Sequence, residues 1–183
     1  MKKTIMDGAA KSRSITRISH EIMERNSEES DKLCIVGIRR RGVYIAAEIA
    51  ENIKRFYGLE IPVGELDITL YRDDLSYELP QAVVSDTKID FSVKDKTVIL
   101  VDDVIYTGRT ARAAMEAVLA LGRPAKIQLA VLIDRGHREL PIRGDYIGKN
   151  VPTSKKERIC VCVPSVDESD EVLIVRETNE EVI

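Results

Sequence analysis

Tryptophan is missing from the 183 residues, phenylalanine occurs twice, and aromatic residues make up only 4% of the chain. That scarcity argues against nucleic-acid binding on an aromatic stacking platform. Histidine occurs twice, as His20 and His137, which excludes a histidine-rich metal centre. The three cysteines, Cys34, Cys160 and Cys162, contain no CxxC pair. An odd count at this spacing is expected of reduced, structural thiols in a cytoplasmic protein, not of a disulfide framework or a zinc knuckle. No apolar run approaches the roughly 20 residues that span a bilayer. The opening MKKTIMDGAAKSRS has two lysines but no apolar signal core, so neither membrane insertion nor export is expected. Linkers rich in glycine, serine or proline and internal repeats are also lacking, and one domain over residues 1–183 is expected.

Charge of one sign is not in excess: 28 Lys and Arg oppose 31 Asp and Glu, a net −3. The average hides an asymmetry. Between Val166 and Ile183 stand Asp167, Glu168, Asp170, Glu171, Glu177, Glu180 and Glu181 against the single base Arg176, so this acidic C-terminal tail masks a basic body. A second basic segment runs from Arg135 to Arg158. A polyanionic partner therefore stays open.

What is present is an alternation of helix and strand signals, expected of an α/β fold with a mainly parallel central sheet flanked by helices. The spacing of Ile15, Ile18 and Ile22 predicts a helix over Asp7–Ser30. Strands are predicted at Leu33–Ile38, Ile61–Leu70, Thr97–Val101, Ile127–Ile133, Asp145–Ile147, Ile159–Val163 and Val172–Val175, and further helices at Val43–Phe56 and Thr110–Leu121. Tyr71–Lys96 is polar and without a clean period, which marks an excursion hairpin or functional loop.

Chemistry concentrates where the most apolar strand ends, at Asp102-Asp103-Val104-Ile105-Tyr106-Thr107-Gly108-Arg109-Thr110. In parallel α/β sheets ligands bind where strands end and helices begin. A helix N-terminus offers unpaired N–H groups, Gly108 permits close backbone approach, and Thr107 and Thr110 add hydroxyls, which together make a phosphate cradle. Two carboxylates beside a phosphate need their own task, and hydroxyl binding or Mg²⁺ coordination supplies one. Neither the P-loop pattern nor GxGxxG occurs. Acids ahead of a lysine-free cradle suit a sugar phosphate better than a nucleoside triphosphate. After the first strand, Arg39, Arg40, Arg41 and Gly42 form a basic turn, simply solvated unless an anion binds there.

The run from Val101 to Thr110 resembles the phosphoribosyl-pyrophosphate signature of type I phosphoribosyltransferases. More widely, the chain resembles the bacterial family of bifunctional pyrimidine-operon attenuation regulators with uracil phosphoribosyltransferase activity. The resemblance rests on Thr-Arg-Ile-Ser-His-Glu from Thr16, Val-Gly-Glu-Leu-Asp-Ile-Thr-Leu-Tyr-Arg-Asp-Asp from Val63, and Asp-Arg-Gly-His-Arg-Glu-Leu-Pro-Ile-Arg-Gly-Asp-Tyr-Ile-Gly-Lys-Asn from Asp134. It implies the type I phosphoribosyltransferase fold with a flexible lid and a small hood. It also implies conversion of uracil and phosphoribosyl pyrophosphate to UMP and pyrophosphate, with Mg²⁺ carried by the substrate pyrophosphate and Asp102 and Asp103 as its candidate protein ligands.

By the same resemblance Asp102, Asp103 and Arg72 are the catalytic set, Asp102 and Asp103 holding the ribose hydroxyls and Arg72 arriving on the lid. The substrate-binding set is Arg39, Arg40, Arg41, Gly42, Val104, Tyr106, Thr107, Gly108, Arg109, Thr110, Ala111, Arg135 and His137, the first four forming the pyrophosphate loop and the last two lying in the base-binding hood. The family usually carries a small hydroxyl residue where Arg40 stands. An RNA-binding set is implied at Arg13, Thr16, His20, Arg25, Arg138, Arg143 and Lys149, contacting a pyr mRNA leader in a UMP-dependent way, with Arg138 outside the phosphate cradle. A homodimer or higher homo-oligomer is also implied. Two other readings keep the fold: a non-catalytic nucleotide-sensing RNA-binding regulator, and an enzyme without RNA binding that takes another base.

Overall fold

The computed structural model describes residues 2–69 and 87–176. In chain order its elements are β1 (Lys2–Asp7), α1 (Gly8–Arg25), a 3-10 turn (Ser27–Lys32), β2 (Leu33–Ile38), α2 (Arg41–Tyr57), β3 (Val63–Leu66), β4 (Thr97–Ile105), α3 (Arg109–Leu121), β5 (Lys126–Asp134), β6 (Tyr146–Asn150), β7 (Glu157–Val161) and β8 (Glu171–Arg176). Five strands form a parallel sheet in the order β3-β2-β4-β5-β6, and three form an antiparallel sheet in the order β1-β8-β7.

The central strands are apolar on both faces because helices cover both. From β2, Leu33 and Ile35 join a core with Ile15, Ile18 and Ile22 of α1 and Ile45, Ile49 and Ile53 of α2. Cys34, Val36 and Ile38 face the other way, into a core with Ala111, Ala114, Ala117 and Val118 of α3. The small α3 residues let that helix lie close against the sheet. Helix α1 starts where the Asp7 carboxylate accepts the Ala10 N–H at 2.7 Å, an N-cap. Helix α2 stops at Gly58, whose φ of 67° takes the left-handed cap.

The chain leaves β2 toward β3 on one side and leaves β4 toward β5 on the other. The gap between the C-terminal ends of β2 and β4 is therefore the topological switch point, where an open parallel sheet leaves a crevice. The helices match the sequence expectation, with α1 ending at Arg25 instead of Ser30 and α2 starting at Arg41 instead of Val43.

The strand expected at Ile61–Leu70 is confined to Val63–Leu66, those at Asp145–Ile147 and Ile159–Val163 fall at Tyr146–Asn150 and Glu157–Val161, and two further expectations change. Strand β4 does not stop at Val101: it continues through Asp102 and Asp103 to Ile105, because β5 goes on pairing with it up to Ile105 and Asp134. Strand β1 was not expected at all, since Lys2–Asp7 is mostly exposed and shows no alternation. The strand expected at Val172–Val175 inside the acidic tail is present as β8, and it is the middle strand of the antiparallel sheet.

Candidate active site

Pairing of β2 with β4 ends at Gly37 and Val101, whereas pairing of β4 with β5 continues. Beyond Val101 one side of β4 is thus open, and Asp102 and Asp103 stand at that opening. The Asp103 N–H donates to Asp102 Oδ1 at 2.9 Å, and the Val104 N–H donates to Asp103 Oδ1 at 2.9 Å. Loss of water pushes the Asp102 carboxyl well above the ordinary carboxylate range, and the neighbouring Asp103 charge adds to it. Asp103 is raised by the same loss of water and is opposed by its hydrogen bonds and the positive charge of Arg41. Such a strained pair favours a ligand that brings cations or hydroxyl donors to it.

Downstream, Gly108 at φ 94° caps the start of α3. A cavity of about 110 Å³ lies against Tyr106, Thr107, Gly108, Thr110 and Ala111, at the start of α3, where the Arg109 N–H donates to Thr107 Oγ1 at 3.3 Å. The loop from Asp134 to Ile142 is stapled to this cradle: the Glu139 and Leu140 N–H groups donate to the Thr107 carbonyl at 2.9 and 3.1 Å. Arg109 reaches outward to Glu139 at 2.8 Å.

A larger cavity, about 520 Å³, opens in the crevice and is lined by Arg39, Arg40, Asp67, Ile68, Thr69, Asp102, Asp103, Val104 and Thr110. It joins the acid pair to the arginine turn across the switch point. A Cβ on Gly42 would collide with the Val101 carbonyl, so only glycine lets α2 start against the end of β4. The peptide between Arg39 and Arg40 is cis. The three arginines part company here. Arg39 pairs with Glu65 at 2.7 Å and Arg41 with Asp167 at 2.8 Å, whereas exposed Arg40 makes no side-chain bond to any described residue.

Arg135 is buried and is spent on the protein itself. Its Nε donates to Thr153 Oγ1 at 3.0 Å, its Nη2 donates to the Ser154 and Glu157 carbonyls, and its guanidinium lies 4.0 Å from the Tyr106 ring centre. His137, at φ 60°, stands edge-on to Tyr106 at 5.9 Å. Arg135 therefore underpins Tyr106, and the pair with His137 forms a wall next to the cradle. Arg72 lies outside the described residues. Asp67 and Thr69, which sequence reading missed, line the large cavity, with Asp67 Oδ1 accepting the Thr69 N–H and hydroxyl at 2.9 and 2.6 Å. Their one sequence signal is their place in the block from Val63 that carries the family resemblance; the strand expected at Ile61–Leu70 absorbs them.

Residues 2–165 match the family described as phosphoribosyl transferase domain. The chain belongs to the phosphoribosyltransferase family. It is 58% identical over 174 residues to the bifunctional protein PyrR of Clostridium acetobutylicum, covering 95% of this chain and 97% of that one. Identity to the bifunctional protein PyrR of Caldicellulosiruptor bescii is 56% over 172 residues, covering 94% of each chain. In fold, the chain is similar to a variant of hypoxanthine phosphoribosyltransferase from Trypanosoma cruzi solved with its ternary substrates, with a TM-score of 0.75, 16% identity and 95% of each chain covered.

The phosphoribosyltransferase site holds no group of three or more His, Cys, Asp or Glu that could bind a metal among the described residues. Two adjacent carboxylates on the wall of an open crevice fit a divalent ion shared with an oxyanion ligand, and do not fit a closed protein cage. No described helix is long and apolar enough to cross a membrane.

The seven residues of the candidate RNA set fall in two groups. Arg13, Thr16, His20 and Arg25 lie along α1, which packs on β6, where Lys149 sits, with Arg143 just before it. Arg13 and Arg143 are exposed without side-chain partners among the described residues. Arg25 pairs with Asp145 at 2.8 Å, Lys149 donates to the Ile5 carbonyl at 3.1 Å, and His20 Nδ1 shares a hydrogen bond with the Tyr57 hydroxyl at 2.7 Å. Arg138 is different. It donates to the Tyr106, Gly136 and Ile142 carbonyls and pairs with Asp134, so it belongs to the frame of the phosphate cradle, contrary to the expectation that it stands outside.

Proposed function

We propose that the chain converts uracil and phosphoribosyl pyrophosphate to UMP and pyrophosphate, and that it binds the leader of pyrimidine-gene mRNA in a UMP-dependent way. The observation that carries the enzymatic half is the crevice, in which the acid pair and Arg40 face one cavity while Asp102, Val104 and Thr110 also line the adjoining cavity of the α3 cradle. The 5′-phosphate takes the N–H groups at Thr107–Thr110, as oxyanions do at helix starts. Asp102 and Asp103 receive the ribose hydroxyls, and Arg40 meets the pyrophosphate. As the anomeric carbon–oxygen bond breaks and the bond to the uracil ring nitrogen forms, positive charge builds on the ribose and negative charge on the leaving pyrophosphate. The carboxylates stabilise the first and Arg40 the second, and the proton of the uracil nitrogen passes to the departing pyrophosphate or to solvent. Bound magnesium would neutralise pyrophosphate oxygens, with Asp102 and Asp103 as its ligands on this chain.

Support for the RNA half is the similarity to proteins named bifunctional, together with the exposed cations Arg13 on α1 and Arg143 just before β6, neither with a side-chain partner among the described residues, and the packing of α1 on β6. Under linkage, if UMP strengthens leader binding, the leader strengthens UMP binding by the same factor. The catalytic half is tested by pyrophosphate release from phosphoribosyl pyrophosphate with a panel of free bases. Release with uracil above the other bases is expected, and none with any base would leave a nucleotide-sensing regulator without turnover. The RNA half is tested by titrating the organism's own pyrimidine-gene leader with and without UMP, and equal affinity in both would remove the UMP dependence.

A further inference from the structure

Arg39, Arg40 and Arg41 are consecutive, yet among the described residues the middle one alone has no side-chain partner. Arg39 is held from the β3 side: its Nε and Nη2 both donate to Glu65 Oε2, at 3.1 and 2.7 Å. Its own N–H donates to the Leu66 carbonyl at 3.0 Å. Arg41 is held from the segment after β7 by a two-toothed pair, Nε to Asp167 Oδ2 at 3.2 Å and Nη2 to Oδ1 at 2.8 Å. Asp167 is itself fixed, because its Oδ2 also accepts the Val163 N–H at 3.0 Å and its own N–H donates to the Val163 carbonyl at 2.7 Å. A bidentate carboxylate sets the plane of a guanidinium as well as its position, which a single contact does not. Gly42 then presses the following backbone against the end of β4. The turn is thus stretched between two acids from distant parts of the chain, with Arg40 between the anchors and on the wall of the large cavity.

We infer that Asp167 and Glu65 are positioning residues for the pyrophosphate end of the substrate, acting through the backbone of the arginine turn to hold Arg40 at the cavity. The inference rests on the phosphoribosyl-pyrophosphate reading above. It assigns a role to part of the acidic segment that composition left unexplained. It also separates two acids of that segment. Asp170 pairs with buried Lys11, which donates as well to the Cys162 carbonyl at 3.0 Å, and this pin joins α1 to the antiparallel sheet without touching the turn. The Arg41 pair holds the Asp167 carboxyl below its usual range, so the pair is intact at neutral pH.

The test is steady-state turnover with magnesium present, varying each substrate in turn. Asp167→Asn and Glu65→Gln are each expected to raise KM for phosphoribosyl pyrophosphate about 5- to 20-fold while kcat and KM for uracil stay within about 2-fold. Asp167→Glu should recover most of the loss. Asp170→Asn should lower the melting temperature and leave that KM unchanged, which separates positioning from general loosening of the sheet. In an Arg40→Ala background Asp167→Asn should add less than about 2-fold, because the group it positions is gone. An unchanged or lower KM in Asp167→Asn would overturn the inference, the lower value meaning that Asp167 competes with pyrophosphate for Arg41. A full additional loss in the Arg40→Ala background would overturn it too. Absence of turnover by the unaltered protein with every base would instead strike the enzymatic reading, and binding of magnesium phosphoribosyl pyrophosphate measured by calorimetry would then carry the same comparison of variants.

Discussion

Arg138 donates to the Tyr106 carbonyl at 2.7 Å while its other nitrogen pairs with Asp134 at 2.5 Å, a bridge between the strand that leads into the phosphate cradle and the one beside it. The same side chain takes the Ile142 carbonyl at 2.8 Å, so one guanidinium ties both ends of the loop to the start of the cradle. Both members of the ion pair are largely shielded from water.

Arg138→Gln is therefore expected to damage catalysis as well as any RNA contact. It leaves Asp134 without its partner and the Tyr106 carbonyl short of a donor, at a cost of about 1–3 kcal/mol in stability. Turnover should fall about 10-fold with the cradle misplaced. Uracil turnover, leader binding and melting temperature measured on one preparation decide the matter. Weakened leader binding with normal turnover would show that the side chain faces RNA in spite of its internal contacts.

Asp103→Asn should reduce kcat at least about 100-fold, as expected when a charge that stabilises the transition state is removed. Folding should not suffer. Asp102 and Asp103 are carboxyls whose folded-state pKa values are raised, so the folded state binds protons more tightly than the unfolded one. Their contribution to stability is then present at low pH and is lost as pH rises from the ordinary carboxylate range through the raised values. Replacing one charge relieves that penalty. Thermal melting without magnesium at pH 7.5 should show the variant at least as stable as the parent, and a marked drop would mean that Asp103 is a structural residue.

The legible parts of this fold and site were those written in short stretches of chain. Ile15, Ile18 and Ile22 announce α1, the alanines of α3 announce a close-packed helix, and the two acids followed by Thr-Gly-Arg-Thr announce the cradle, since strand, turn and helix start are adjacent in sequence. What could not be read depends on partners far away. Strand β1 exists because β8 pairs with it across most of the chain. Asp167 meets Arg41 across 126 positions, and Asp170 meets Lys11 across 159. Composition saw those acids only as a charge run. Arg138 shows the converse: a base in a basic segment looks solvated until its carbonyl partners are known.

Arg143→Ala should weaken leader binding and spare turnover. Arg143 is exposed, has no side-chain partner among the described residues and lines neither the cradle cavity nor the large cavity. A cation that meets one phosphate releases about one counterion, so the slope of log affinity against log salt should become shallower by about 0.7–0.9. Arg25→Ala should produce a similar change in slope, plus a loss of stability, because its pair with Asp145 is lost as well. Leader binding titrated between low and moderate salt checks both. An unchanged slope in Arg143→Ala would place the RNA elsewhere.

The thiols should separate into two classes. Cys34 is fully buried on β2, and that burial pushes its pKa up to about 11, whereas Cys160 and Cys162 are half-buried. At pH 8 a water-soluble disulfide reagent should label two thiols in the folded protein and the third only after denaturation, because the reacting species is an accessible thiolate. The raised value also has a sign for stability. The Cys34 contribution is complete below the unfolded thiol's pKa near 9 and is lost as pH climbs from there toward 11. Replacing Cys34 with alanine removes this alkaline loss, although a cavity beside Thr97 lowers stability by about 1–2 kcal/mol at neutral pH. Melting curves of the parent and Cys34→Ala proteins from pH 7 to 10.5 should therefore converge as pH rises. Parallel curves would show that Cys34 ionises no differently in the folded core than in the open chain.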